Sequence, residues 1–121
     1  LRIYEDNFIF IEVEQSQIPW LKIFTQTPYK ELSYCDAQTK SRLFEVLDCV
    51  EKTMLEYYRP DKINIASFGN YLPKLHFHVM ARFTNDAYFP EPMWGKKQRD
   101  ATDLNLPSFE EFSNSLLRKL Q

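Results

Sequence analysis

The sequence predicts an α+β domain of two layers, with helices packed along one side of an antiparallel sheet. Three observations carry this expectation. Four short runs rich in β-branched and aromatic residues are bounded by turn-forming residues. Between the second and third lies one long stretch with helical periodicity, and the chain closes on a second amphipathic segment. The expected order is β-β-α-β-β-α, with a long helix and a C-terminal helix, in a single domain over residues 1–121.

The first strand is expected over residues 7–13 (Asn7-Phe-Ile-Phe-Ile-Glu-Val13), followed by a turn at Glu14-Gln-Ser-Gln17. The second returns over 18–25, with Pro19 confined to its start or to an edge because proline cannot donate to a ladder. After a polar connector, Asp36 is an N-cap candidate for a helix over 37–58. There Leu43, Val46, Leu47, Val50, Met54 and Leu55 form one apolar stripe, and Arg59-Pro60 stops the helix. Strands follow over 62–68 and 75–83, with a turn at Gly69-Asn70-Tyr71 between them. An irregular segment with Pro90, Pro92 and Gly95 around Trp94 leads to Pro107-Ser108, which opens a helix over 109–119 with Phe112 and Leu116 facing inward.

Composition removes several function classes. A chain of 121 residues with 44% hydrophobic residues can bury a core without covalent staples. The formal charge is −2, and no basic block is longer than Lys96-Lys97. Nucleic-acid binders usually carry a basic stripe, so nucleic acid is not an expected partner. No apolar stretch reaches the roughly 20 residues needed to cross a bilayer, and no signal peptide is visible, so no membrane partner is expected. Cys35 and Cys49 are too few for a disulfide framework and lack metal-type spacing. Cys49 is expected as a buried thiol, and a reducing, cytoplasmic setting is the simpler reading. Because the chain opens at Leu1, a native segment is expected ahead of it.

The only two histidines, His76 and His78, lie two apart in the run Pro73-Lys-Leu-His-Phe-His-Val-Met-Ala-Arg82. Strand side chains alternate between faces, so Leu75, Phe77, Val79 and Ala81 point to the core, while Lys74, His76, His78 and Met80 share the other face. An ammonium and two imidazoles make a poor core, and this face is expected to look into a pocket or solvent. The pair has three chemical meanings. It can be structural and hydrogen-bonded. It can supply two metal ligands, although catalytic zinc usually takes a third from the protein and there is no third histidine. Or one imidazole can attack phosphorus, with donors around the phosphate from the second histidine, Asn70 and backbone amides near Gly69.

Asn64-Ile-Ala-Ser-Phe-Gly-Asn70, the histidine run and Trp94-Gly95 together resemble the histidine triad (HIT) superfamily of nucleotide hydrolases and transferases. The pattern there is His-φ-His-φ-His-φ-φ, with φ apolar. Tyr88-Phe-Pro-Glu-Pro-Met-Trp-Gly95 looks like the tail of a bacterial branch, and the resemblance extends to the element order and the Ile18-Pro-Trp-Leu21 strand.

The resemblance implies a two-layer HIT-like domain acting at the α-phosphate of nucleoside phosphoramidates or dinucleoside polyphosphates. His76 takes the place of the middle histidine, which becomes nucleotidylated, and His78 that of the third, which binds phosphate oxygens. Asn70 matches a polar position that assists the phosphate or leaving group. Asn64, Gly69, Lys74 and Glu14 are carried over as substrate-binding, Glu14 near the ribose-binding position. No metal or cofactor is implied, although a polyphosphate substrate can arrive with Mg²⁺. A small-molecule nucleotide and a homodimer are the expected partners. Three departures stand out: Lys74 replaces the first histidine, the histidine often found on the second strand is absent, and Phe24 stands where proline is usual. They support an alternative, a nucleotide-binding sensor or interaction module with weak or no catalysis.

Overall fold

The computed structural model describes residues 1–121. Its five strands are β1 (Arg2–Glu5), β2 (Ile9–Val13), β3 (Trp20–Thr25), β4 (Lys62–Ala66) and β5 (His76–Arg82). The helices are α1 (Ala37–Tyr58) and α2 (Phe109–Leu120), and a single 3-10 turn covers Leu32–Tyr34. The strands form one antiparallel sheet in the order β1-β2-β3-β5-β4. The α+β architecture is the one expected, but the element order gains a strand. β1 was not anticipated: four residues with no fully buried side chain leave little hydrophobic pattern. It is held by tertiary contacts instead. Arg42 of α1 donates to Asp6 at 2.8 Å, to the Tyr4 hydroxyl at 3.0 Å and to the Leu120 carbonyl at 3.2 Å.

α1 begins as expected, with the Asp36 carboxylate accepting from the Thr39 N–H at 2.7 Å. It ends at Arg59, in the left-handed region with φ 49°. Leu43, Val46, Leu47, Val50 and Met54 are buried on the sheet, whereas Leu55 is exposed, because it falls past the edge of the stripe. Cys49 is only half-buried, and Cys35 is the buried thiol. α2 starts at Ser108, whose hydroxyl accepts from the Glu111 N–H, and buries Phe112 and Leu116 as expected. Ile9, Ile11, Leu21, Ile23, Val79 and Ala81 form the sheet side of the core, each fully removed from solvent. Burial of each Ile, Leu or Val side chain among them is worth about 1.5–3 kcal/mol.

The even-numbered residues of β2, β3 and β5 face away from α1. Register places them in rows: Phe10 opposite Phe24 opposite His76, and Glu12 opposite Lys22 opposite His78. Trp20 lies opposite Met80, and Met80 opposite Asn64. This second face, expected to look into a pocket or solvent, is largely covered and borders a cavity. His76 and His78 are each 8% exposed, and Met80 and Arg82 are 1% exposed. Aromatic side chains from β3, from the β4–β5 loop and from the segment after β5 cover it. Phe77, expected in the core, is half-buried near the sheet edge, where it packs on Phe44.

Candidate active site

The imidazoles of His76 and His78 meet at 5.0 Å between centroids, on adjacent same-face positions of β5. His76 Nδ1 lies 2.6 Å from the Lys74 carbonyl. A carbonyl only accepts, so Nδ1 carries a proton, and in the neutral ring Nε2 keeps its lone pair. The carbonyl is held on both sides, since the Lys74 N–H donates to Leu72 and the Leu75 N–H donates to Tyr29, each at 2.7 Å. Ser67 Oγ donates to the His76 carbonyl at 2.7 Å and ties the β4–β5 loop to the strand. The His76 ring stacks on Phe24 at 4.7 Å, Phe24 stacks on Phe10 at 4.9 Å, and the Arg2 guanidinium sits 3.7 Å over Phe10.

His78 is held differently. The Trp20 indole N–H donates to its Nδ1 at 3.0 Å, a diagonal cross-strand contact within reach of so long a side chain. Indole nitrogen is a donor only, so His78 Nδ1 is unprotonated and the ring proton sits on Nε2. Trp94 meets this ring edge-on at 4.8 Å. Burial, then His76 and the Lys22 ammonium, push the His78 pKa down to about 4, against an upward pull from Glu14. His78 is therefore neutral at pH 7.

A cavity of about 350 Å³ lies beside the two rings, walled by Phe68, Trp94 and the loop Gly69-Asn70-Tyr71-Leu72. Gly69 turns the loop at φ +81°, a conformation that costs glycine little. One imidazole with a free lone pair and one with a single N–H thus line a cavity sized for a small ligand.

The HIT domain family matches residues 2–85. The chain belongs to the histidine triad family. A histidine triad protein from Bradyrhizobium japonicum is 30% identical with a TM-score of 0.81, over 100% of this chain and 90% of that one. One from Marinobacter aquaeolei is 26% identical with a TM-score of 0.74, over 100% and 85%. One from Sinorhizobium meliloti, at 24% identity and a TM-score of 0.77 over 98% and 87%, shares the fold. The comparison with curated proteins found no match.

Within this HIT domain the expected site residues separate into two groups. His76, His78, Asn70 and Gly69 line one cavity. Lys74 reaches the site through its carbonyl, while its exposed side chain lines a neighbouring cavity with Lys30 and Glu31. The triad pattern thus keeps a backbone acceptor at the first position and loses a side chain there. Asn64 is outside: its Oδ1 accepts from Arg82 at 2.8 Å, and it lines a different cavity along β4. Glu14 is outside too, paired with Lys22 at 3.1 Å beside another cavity. Its charge still acts on His78 from there, pulling that pKa upward.

Sequence reasoning missed Trp20, Lys22 and the Arg82–Asp86 pair. Trp20 and Lys22 are even positions of a strand in the sequence, but facing His78 requires the β3–β5 register. Arg82 and Asp86 are buried together, with bonds of 2.8 and 3.1 Å. Asp86 also accepts from the N–H groups of Phe83, Tyr88 and Phe89 at 3.1, 3.0 and 2.8 Å. Arg99 donates to the Asp86 and Phe89 carbonyls at 2.6 and 2.8 Å. These bonds fix the segment after β5 that delivers Trp94 to His78.

Proposed function

We propose that this HIT protein is a nucleotidyl hydrolase or transferase, acting at the α-phosphate of a nucleoside phosphoramidate or dinucleoside polyphosphate through a nucleotidyl-His76 intermediate. The observation that carries this reading is the His76 Nδ1 bond to the Lys74 carbonyl, which leaves Nε2 as a nucleophile. His78 Nε2–H, the Asn70 amide and the loop N–H groups near Gly69 supply donors for the charge that builds on the phosphate oxygens. Nε2 displaces the leaving group in line, and water then displaces the histidine and frees the nucleotide. The test is rapid quench with radiolabelled adenosine 5′-phosphoramidate and diadenosine tetraphosphate in turn, followed by mass spectrometry of the peptide carrying His76. An adenylylated His76 is expected from at least one of them. Its absence, with AMP still bound, would favour the second reading, a nucleotide-binding module. That reading draws on the Lys74 ammonium lying outside the histidine cavity.

The same protein is proposed to act as a homodimer, pairing β4 with its copy to continue the sheet. β4 is an edge strand, and of the strands α1 packs mainly on β5, β3 and β2. On the helix side of that edge Ile65 is 42% exposed, and Phe44, which packs on the neighbouring Phe77, is 44% exposed. Open edges with apolar flanks are normally covered. Light scattering should give twice the chain mass, and Ile65→Asp should give the monomer; a monomeric wild type would refute the pairing.

A further inference from the structure

We propose that this protein carries a second small-molecule site, remote from the histidines, which takes an uncharged, ring-bearing compound through the hydroxyl of Tyr58. The site is a cavity of about 310 Å³ between the β2–β3 turn, the end of α1 and the residues that lead into α2. It shares no lining residue with the histidine cavity. Tyr58, Val13, Leu106 and Phe109 in its walls pack on the main core, on the α1 side of the sheet, whereas the histidines face away from α1. The site is therefore independent of nucleotidyl transfer.

The observation that marks it is a buried phenol without a partner. Tyr58 is the last residue of α1 and is 6% exposed. Its ring packs at 5.0 Å on Phe112 and edge-on at 4.9 Å against Tyr57. Buried phenols normally find a hydrogen-bond partner. The Tyr57 hydroxyl does, donating to the Ser108 carbonyl at 2.7 Å. The Tyr58 hydroxyl bonds to no protein group. No side-chain nitrogen or oxygen here is both sealed from solvent and unpartnered, so this hydroxyl opens on the cavity that Tyr58 lines. Burial, with Tyr57 beside it, pushes the Tyr58 pKa up. At neutral pH it is an uncharged phenol that can donate one hydrogen bond and accept others.

The lining decides what can meet it. Val13, Ile18, Pro19, Leu106 and Phe109 supply apolar walls for a ring. Glu14 is the one charged side chain there, and it is already paired with Lys22 at 3.1 Å. No lysine or arginine lines the cavity. The C-terminal end of α1, which carries partial negative charge, lies beside it. A phosphate or carboxylate would lose its hydration there and gain no cation. A neutral ring whose carbonyl accepts from Tyr58 loses far less.

The walls are set before any ligand arrives. Gln17 Nε2 donates to the Thr102 carbonyl at 2.8 Å, and Gln17 Oε1 accepts from the Ala87 N–H at 3.0 Å. These bonds hold the β2–β3 turn, and the Tyr57–Ser108 bond holds the start of α2 to α1. Little ordering is left to oppose binding.

Benzamide and benzoate, nearly alike in shape, separate charge from size as probes. Each is titrated into the isotope-labelled protein and followed by NMR. Benzamide should bind with Kd on the order of 1 mM, a normal strength for so small a molecule. Its shifts should centre on Tyr58, Ile18 and Leu106, with the His76 and His78 ring signals unmoved. Benzoate should bind at least about 10-fold more weakly. Tyr58→Phe should weaken benzamide by about 2- to 10-fold, the worth of one hydrogen bond. It should leave Tm unchanged or raise it, since the hydroxyl it removes has no partner in the free protein. Leu106→Trp, which fills the cavity, should abolish the shifts.

Benzoate binding as tightly as benzamide would overturn the inference, and so would benzamide shifts centred on His76, His78 and Trp94. Absence of any shift at about 10 mM benzamide, or full affinity in Tyr58→Phe, would do the same. A fall in Tm in Tyr58→Phe would show that the hydroxyl is satisfied within the free protein, which removes the ground for the site. None of these outcomes touches nucleotidyl transfer at His76.

Discussion

His76→Asn is expected to lower kcat by at least about 10⁴-fold while changing AMP affinity by less than about 3-fold, since removal of a nucleophile costs chemistry far more than binding. Asparagine keeps a short polar side chain, and its amide can still donate toward the Lys74 carbonyl. It has no nitrogen lone pair able to attack phosphorus. The lost stack on Phe24 costs about 0.5–1.5 kcal/mol, which affects stability more than ligand affinity. Single-turnover kinetics and titration calorimetry on the same preparation separate the two effects. A variant that kept most of its rate would exclude His76 as the attacking group, whatever the overall activity.

The parity that puts His76 and His78 on one face is local information, and alternation along β5 delivers it directly. α1 is similar, because a cap at Asp36, a stripe from Leu43 to Met54 and a stop at Arg59-Pro60 are all written in consecutive residues. What covers the histidines is not local. Trp20 reaches His78 from 58 residues away, and only the β3–β5 register brings them together. The sequence reads this polar face as looking into a pocket or solvent but does not show the indoles that cover part of it. Asn64 and Glu14 fail to reach the histidine cavity for a related reason: each is claimed by a nearer cation, Arg82 and Lys22. β1 was illegible because Arg42, Tyr4 and Asp6, rather than a hydrophobic pattern, hold it.

The departures from the triad pattern then acquire a common logic. A histidine side chain at the first position is dispensable for holding His76, since the backbone carbonyl of Lys74 does it. On β3, Trp20 supplies His78 with a hydrogen bond from an indole N–H, a donor that does not titrate. Both contacts hold an imidazole through its Nδ1 and leave its Nε2 free of a protein partner.

Asp86→Ala should destabilise the protein by about 3–5 kcal/mol, because it leaves a buried arginine unpaired. Arg82 is 1% and Asp86 0% exposed, so neither has solvent to fall back on. Three backbone N–H groups lose their acceptor at the same time. Burial alone would push the Asp86 carboxyl up, but the Arg82 hydrogen bonds and the backbone donors outweigh it and hold the pKa below the usual carboxylate value. On acidification the unfolded chain therefore takes up this proton first. The contribution is fully present above about pH 4 and is lost as pH falls through the lower folded value. Urea unfolding of wild type and Asp86→Ala at pH 7, and again toward pH 3, should show the gap between them narrowing in acid. Asp86→Asn, which keeps the shape and one acceptor oxygen, should cost less. In Asp86→Ala the segment after β5 also loses its anchor, so Trp94 should leave His78 and its fluorescence should shift to the red before global unfolding. A cost below about 1 kcal/mol at pH 7, or a gap unchanged in acid, would mean that Arg82 is satisfied without Asp86 and that the segment is fixed by Arg99 alone.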